Sequence, residues 1–127
     1  MFRNPIITGF NPDPSICFAD GTYYIVTSTF EYFPGVTIWE SKDLMNWTYC
    51  DSVLKTASHL DLDKSPDSLG LYAATLRYHG GRFYMVTTNK YLKSNFVVKD
   101  CPPPKGKDCN DYLLLLLATP KPRRGVR

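Results

Sequence analysis

The residues best suited to chemistry lie in the first two-thirds of the chain. Asp13 sits between two prolines in Gly9-Phe10-Asn11-Pro12-Asp13-Pro14-Ser15. Proline fixes its own φ and restricts the residue before it, so this carboxylate is held in a defined direction. A rigidly aimed carboxylate suits general-base work, where a displacement of about 1 Å can cost 100-fold in rate. The same Asp also suits the plainer task of closing a turn with its own backbone. A second candidate is Thr27-Ser28-Thr29-Phe30-Glu31-Tyr32-Phe33-Pro34-Gly35, where three aromatic residues follow a strand end. Loops at strand ends carry function, and sugars present apolar C–H faces on which rings stack. Phe30, Tyr32 and Phe33 fit a saccharide surface, and they fit a hydrophobic plug between strands equally well. The third candidate is Tyr72, in Leu69-Gly70-Leu71-Tyr72-Ala73-Ala74-Thr75. Its ring suits the same mouth as Asp13 or ordinary core packing.

Other chemistries find less support. Cys17, Cys50, Cys101 and Cys109 form no Cys-x-x-Cys and no His-paired spacing, so no zinc site is expected. Buried or free thiols fit best, with Cys101 and Cys109 as a candidate pair. Asp61, Asp63 and Asp67 do not have the spacing of an EF-hand loop. No Gly-rich phosphate loop and no Gly-x-Ser-x-Gly turn is present, and no metal or cofactor is expected. The longest apolar run, Leu113 to Ala118, is far short of the roughly 20 residues of a membrane span, so no membrane partner is expected. The N-terminus as written shows no signal peptide, which favours the cytoplasm. Asn46-Trp47-Thr48 fits a glycosylation acceptor, relevant only in a secreted chain.

The elements that must position these residues are strands, and they repeat. Shifted by sixty positions, Gly21-Thr22-Tyr23-Tyr24-Ile25-Val26-Thr27-Ser28 falls on Gly81-Arg82-Phe83-Tyr84-Met85-Val86-Thr87-Thr88. Each copy reads as a strand, a Gly-containing turn (Asp20-Gly21 or Gly80-Gly81) and a second strand. Val36–Ser41 alternates as a third strand, Ser41–Trp47 reads as a turn or short helical link, and Trp47–Cys50 starts a fourth. Four strands make one blade of a radial β architecture. In the second copy Asn95–Lys99 suits the third strand. Leu113–Leu117 has no alternation and fits either a fourth strand or one buried turn of helix.

Asn4-Pro5-Ile6 with Gly9–Ile16, Tyr23–Gly35 and Ser41-Lys42-Asp43-Leu44-Met45-Asn46-Trp47 resemble the start of a glycoside hydrolase family 43 enzyme of the β-xylosidase/α-L-arabinofuranosidase branch. Pro66-Asp67-Ser68 through Asn89 continues the resemblance, which covers roughly residues 4–90. It implies an all-β fold, a five-bladed β-propeller of which this chain holds the first one and a half to two blades. It also implies inverting hydrolysis of xylan-derived sugars by three carboxyl groups: a general-base Asp, a general-acid Glu and an Asp that tunes the acid. Asp13 matches the base. Phe30 matches a ring lining the sugar pocket. Tyr72 stands where Trp is usual, and Ala74 where Pro is usual, which alters the expected sugar subsite. Glu31 and Glu40 do not match the acid, which in the family comes from later blades.

Composition divides the chain. The net charge of +3 comes from 15 Lys+Arg against 12 Asp+Glu, yet residues 1–98 hold 8 against 9 and residues 99–127 hold 7 against 3. Residues 1–98 are expected to be the propeller part. Residues 99–127, with five of the ten prolines, are expected to be an unmatched and partly disordered tail. Short basic runs such as Pro120–Arg127 are usually solvated ends, so no nucleic acid is expected as a partner. The whole reads as an N-terminal fragment without its acid, hence inactive alone, whose partner is a xylo-oligosaccharide or arabinoxylan-type sugar. The alternative reading is a non-catalytic carbohydrate-binding or structural fragment. Two blades leave apolar faces open, so self-association through those faces is expected.

Overall fold

The computed structural model describes residues 3–55, 62, 64–99 and the backbone of 114–117. Asp61, Asp63, His59, Cys101, Cys109 and the basic octet 120–127 lie outside the described residues. Eight strands are present: β1 (Ser15–Ala19), β2 (Thr22–Thr27), β3 (Gly35–Ser41), β4 (Thr48–Leu54), β5 (Leu71–His79), β6 (Arg82–Asn89), β7 (Ser94–Lys99) and β8 (Leu114–Leu117). They form two antiparallel meanders, β1-β2-β3-β4 and β5-β6-β7-β8. These are two propeller blades, and the sixty-residue repeat of the sequence is the offset between them. Leu114–Leu117 pairs with β7 and completes the second blade, which resolves the strand-or-helix ambiguity in favour of strand.

Each blade starts with the hairpin that the sequence announces. Asp20 and Gly21 have φ of 48° and 75°, and Gly80 and Gly81 have 57° and 77°. Two consecutive left-handed residues give the turn whose twist matches its flanking strands. The inner strands then bury one face each. Val26, Ile38, Leu76, Met85, Phe96 and Val98 are fully buried and form one core between the blades. Polar links cross the same seam. Leu76 N donates to Ser15 Oγ at 3.1 Å, and the Tyr78 hydroxyl donates to Asp20 Oδ2 at 2.8 Å. Tyr24 meets Phe83 edge to face at 5.1 Å. Cys17 is half-buried against this core as a free thiol, and burial pushes its pKa up; Cys50 is exposed.

The link between β3 and β4 is a turn rather than a helix. Asp43 Oδ1 accepts from the backbone N–H groups of Met45 (2.9 Å) and Asn46 (2.8 Å), and its Oδ2 accepts from Asn46 Nδ2 at 2.6 Å. Ser41 Oγ accepts from the N–H groups of Asp43 and Leu44. The bonds from Asn46 and Met45 hold the Asp43 carboxyl well below the usual carboxylate range. Its contribution is therefore present at neutral and mildly acid pH and lost only as pH falls through the depressed folded value. In an NMR pH titration, the Met45 and Asn46 amide resonances are expected to hold until below the ordinary Asp range. A midpoint at the ordinary Asp value would contradict this turn.

Candidate functional site

Three strand ends converge on the site. Asp13 lies two residues before β1, Ser28 one residue after β2, and Tyr72 at the second position of β5. β1 and β2 are antiparallel, so the start of one and the end of the other share an edge. Ser28 N donates to Pro12 O at 3.0 Å, tying the Pro12-Asp13-Pro14 segment to the end of β2. The buried Ser28 hydroxyl then donates to Asp13 Oδ2 at 3.0 Å. Asp13 has a φ of 52°, a left-handed conformation that Asp tolerates better than most residues, and its side chain is exposed. The carboxylate thus has one fixed oxygen and an open side toward solvent.

Phe30 is brought to the same edge by a bridge that the sequence does not show. Phe30 N donates to Leu71 O at 3.1 Å, and Leu71 N donates to Phe30 O at 2.9 Å. Phe30 has a φ of 49°, unusual for a bulky residue and costing about 1–3 kcal/mol unless the surroundings fix it. The paired bonds to Leu71 supply that fixing. Such a strained residue often marks a functional position. The bridge sets the Phe30 ring 5.2 Å from the Tyr72 ring at 70°. The Tyr72 hydroxyl donates to Ser68 O at 2.8 Å, so the half-buried ring is anchored at both ends.

The predicted aromatic group is thereby partly assembled. Phe30 and Tyr72 touch, and Tyr32 joins them through Phe10, whose ring lies 5.6 Å from Phe30 and 5.8 Å from Tyr32. Phe33 instead lines a neighbouring hollow of about 530 Å³ with Phe10, Tyr32 and Tyr49. Sequence reasoning missed Ser28 as the partner of Asp13, and Phe10 as the ring joining Tyr32 to Phe30. Phe10 stands within the same proline-rich motif as Asp13; nothing in the local pattern marks Ser28, because its contact spans fifteen residues.

The glutamates of residues 1–98 are Glu31 and Glu40. Glu31 Oε2 accepts from Ser68 N at 3.1 Å and pins the loop before β5. Glu40 lies beside Lys42 and Asp43 in a small hollow at the β3–β4 end. Among the described residues, no three His, Cys, Asp or Glu side chains are grouped to hold a metal ion, and no helix is long and apolar enough to cross a membrane.

This geometry has relatives. The sequence profile of glycosyl hydrolases family 43 matches residues 2–107. The chain belongs to glycosyl hydrolase family 43. It is 43% identical over 111 residues to a beta-xylosidase of Bacillus subtilis, covering 87% of this chain and 19% of that protein. It is 53% identical over 89 residues to a non-reducing end alpha-L-arabinofuranosidase of Bacteroides ovatus, covering 69% and 17%. The crystal structure of a xylan beta-1,4-xylosidase from Bacillus halodurans superposes with a TM-score of 0.73 at 42% identity, covering 78% of this chain and 20% of that one. This family 43 chain thus spans under a fifth of the length of those two curated relatives.

Proposed function

We propose that this chain supplies the general-base edge of a glycosidase site acting on xylan-derived sugars. The observation that carries the reading is the shared edge: Asp13, held by Ser28, lies at the same strand ends as the Phe30–Tyr72 pair. In this reading the free oxygen of Asp13 accepts a proton from water as that water attacks the anomeric carbon. Ser28 keeps the carboxylate aimed. Phe30 and Tyr72 stack on the apolar face of the sugar and exclude water from its ring. The names of the relatives support β-xylosides and α-L-arabinofuranosides as the substrate class. Asp13, Ser28, Phe30 and Tyr72 all lie within residues 1–98, and residues 114–117 form the strand β8.

Inverting hydrolysis also needs a carboxylic acid across the bond, about 6.5–9.5 Å from the base. Glu31 accepts from Ser68 N, Glu40 lies at the β3–β4 end, and the resemblance places the acid in later blades. Losing leaving-group protonation typically costs 100- to 10,000-fold. The purified 127-residue polypeptide is therefore expected to show no turnover of aryl β-xyloside or aryl arabinofuranoside. Turnover abolished by Asp13→Asn would overturn the assignment of the acid to other residues.

A second reading, sugar binding without catalysis, is favoured by the exposure of Phe10 and Tyr32 beside the pair. Calorimetric titration with xylo-oligosaccharides decides it: millimolar binding that survives Asp13→Asn but not Phe30→Ala supports binding alone.

A further inference from the structure

We infer that Glu31 is a positioning residue for the Tyr72 ring and acts on it through the backbone of Ser68. Its bearing on sugar rests on the glycosidase reading above; the ring geometry that it sets does not. Two turns face each other beside the ring pair. In the first, Tyr32 N donates to Thr29 O at 2.9 Å, and Phe30 and Glu31 are the central residues. In the second, Leu69 N donates to Pro66 O at 3.0 Å, and Asp67 and Ser68 are central. Ser68 has a φ of 60°. At the third position of a turn that conformation suits Gly or Asn, so a Ser there needs support from outside. The Glu31 carboxylate gives it, because Oε2 accepts from Ser68 N at 3.1 Å. Hydrogen bonds to a carboxylate are of the stronger kind. Glu31 is half-buried while Ser68 is exposed, so the support comes from the more enclosed partner.

Ser68 passes that support on. Its carbonyl oxygen accepts from the Tyr72 hydroxyl at 2.8 Å. Ser68 therefore holds Glu31 on its N–H and Tyr72 on its C=O. The root of Tyr72 is held by its neighbour, because Leu71 exchanges two backbone bonds with Phe30. The Phe30 and Tyr72 rings then meet at 5.2 Å and 70°. These contacts close a circuit that runs from Phe30 to Glu31, Ser68, the Tyr72 hydroxyl, the Tyr72 ring and back to Phe30. The dipeptide Phe30-Glu31 grips Tyr72 at both ends, by backbone at its root and by carboxylate at its tip. The hydroxyl proton goes to Ser68, which leaves the ring face for the sugar.

The circuit has a consequence that two separate stabilising contacts would lack. Removing the Glu31 carboxylate and removing the Tyr72 hydroxyl cut one line at two points. Once either is gone, the other has nothing left to transmit. Groups in one hydrogen-bond network are non-additive in this way, whereas independent groups add.

NMR of the full 127-residue chain tests the clamp without sugar. Nuclear Overhauser cross-peaks between the Phe30 and Tyr72 rings are expected in wild type and lost in Glu31→Ala. Glu31→Gln keeps an acceptor oxygen for Ser68 N and is expected to retain them. Tyr72→Phe removes one oxygen, tests the same line from its other end, and is expected to lose them too. Circular dichroism reports folding, and wild-type cross-peaks in either folded loss variant would overturn the inference. Kinetics test the bearing on sugar, with residues 4–98 replacing the matched segment of the Bacillus subtilis beta-xylosidase. Glu31→Ala and Tyr72→Phe are each expected to raise KM for an aryl β-xyloside about 3- to 10-fold, the range for one hydrogen bond. The change in kcat is expected to be smaller, and the double variant is expected to match either single one. A double variant whose KM rises by the product of the two would overturn the inference. Phe30→Ala is the reference. If it raises KM and Glu31→Ala does not, the clamp is wrong. If neither raises KM, the glycosidase reading fails and the bearing on sugar with it, while the cross-peaks still decide the clamp.

Discussion

Gly70→Ala is expected to remove a large share of the stability of the two-blade unit and to separate the Phe30 and Tyr72 rings. Gly70 has a φ of 107°, outside the region that L side chains readily adopt. A Cβ at this position would stand 2.3 Å from the Phe30 carbonyl oxygen and 2.7 Å from its carbon, both backbone atoms. The strained φ alone costs about 1–3 kcal/mol. Relief of the overlap requires Phe30 to move, which breaks its two bonds to Leu71, each worth about 1 kcal/mol net. The bond from Lys90 N to Gly70 O, 2.7 Å long, ties the same residue to the end of β6 and limits its own movement. The total of about 3–5 kcal/mol is a large share of the 5–15 kcal/mol typical of a domain. Gly81→Ala is the control. Its φ of 77° is also left-handed, but a Cβ there meets nothing within 4 Å, so only about 1 kcal/mol of strain is expected. Urea denaturation followed by circular dichroism separates the two. Equal losses in both variants would show that the approach of Gly70 to Phe30 is not what sets the position of that loop.

The bridge between Phe30 and Leu71 also explains what the sequence reveals and what it conceals. The strands were legible because alternation, aromatic and β-branched residues, and the Asp20-Gly21 and Gly80-Gly81 turns all act locally. The repeat was legible because both blades solve the same packing problem with the same pattern. Asp13 stood out because two prolines flank it, yet its φ of 52° is not the extended backbone that Pro14 favours, and the Ser28 bonds hold it instead. β8 was ambiguous because four leucines carry no period, and only pairing with β7 decides between strand and helix. Ser28, fifteen residues from Asp13, and Glu31, thirty-seven from Ser68, take their roles from contacts across the fold. No local pattern encodes such contacts. Tyr72 was open between mouth and core, and it is half-buried with its ring against Phe30, which is something of both.

The second large effect concerns Asp13. The relatives supply a way to measure it in a complete enzyme, because residues 4–98 can replace the matched segment of the Bacillus subtilis beta-xylosidase, 43% identical over 111 residues. Such a chimera adds the rest of that enzyme to the edge described above. Asp13→Asn keeps the shape and an acceptor for Ser28 Oγ but removes the proposed base. A general base contributes about 100- to 10,000-fold, so kcat is expected to fall by that factor with little change in KM. Ser28→Ala keeps the base but frees its carboxylate, and small displacements of a base are themselves costly. A smaller fall in kcat, on the order of 10-fold, is expected from that variant. Phe30→Ala is expected to act mainly on KM, since ring stacking holds the sugar before as well as during reaction.

The most direct test of the central claim is the ratio of kcat for the chimera and for its Asp13→Asn variant on an aryl β-xyloside. A fall of at least about 100-fold, with the variant still folded and still binding xylose, is the predicted result. An Asp13→Asn chimera that retains the kcat of its parent would contradict the account, because Asp13 would then be only the residue that closes the turn before β1.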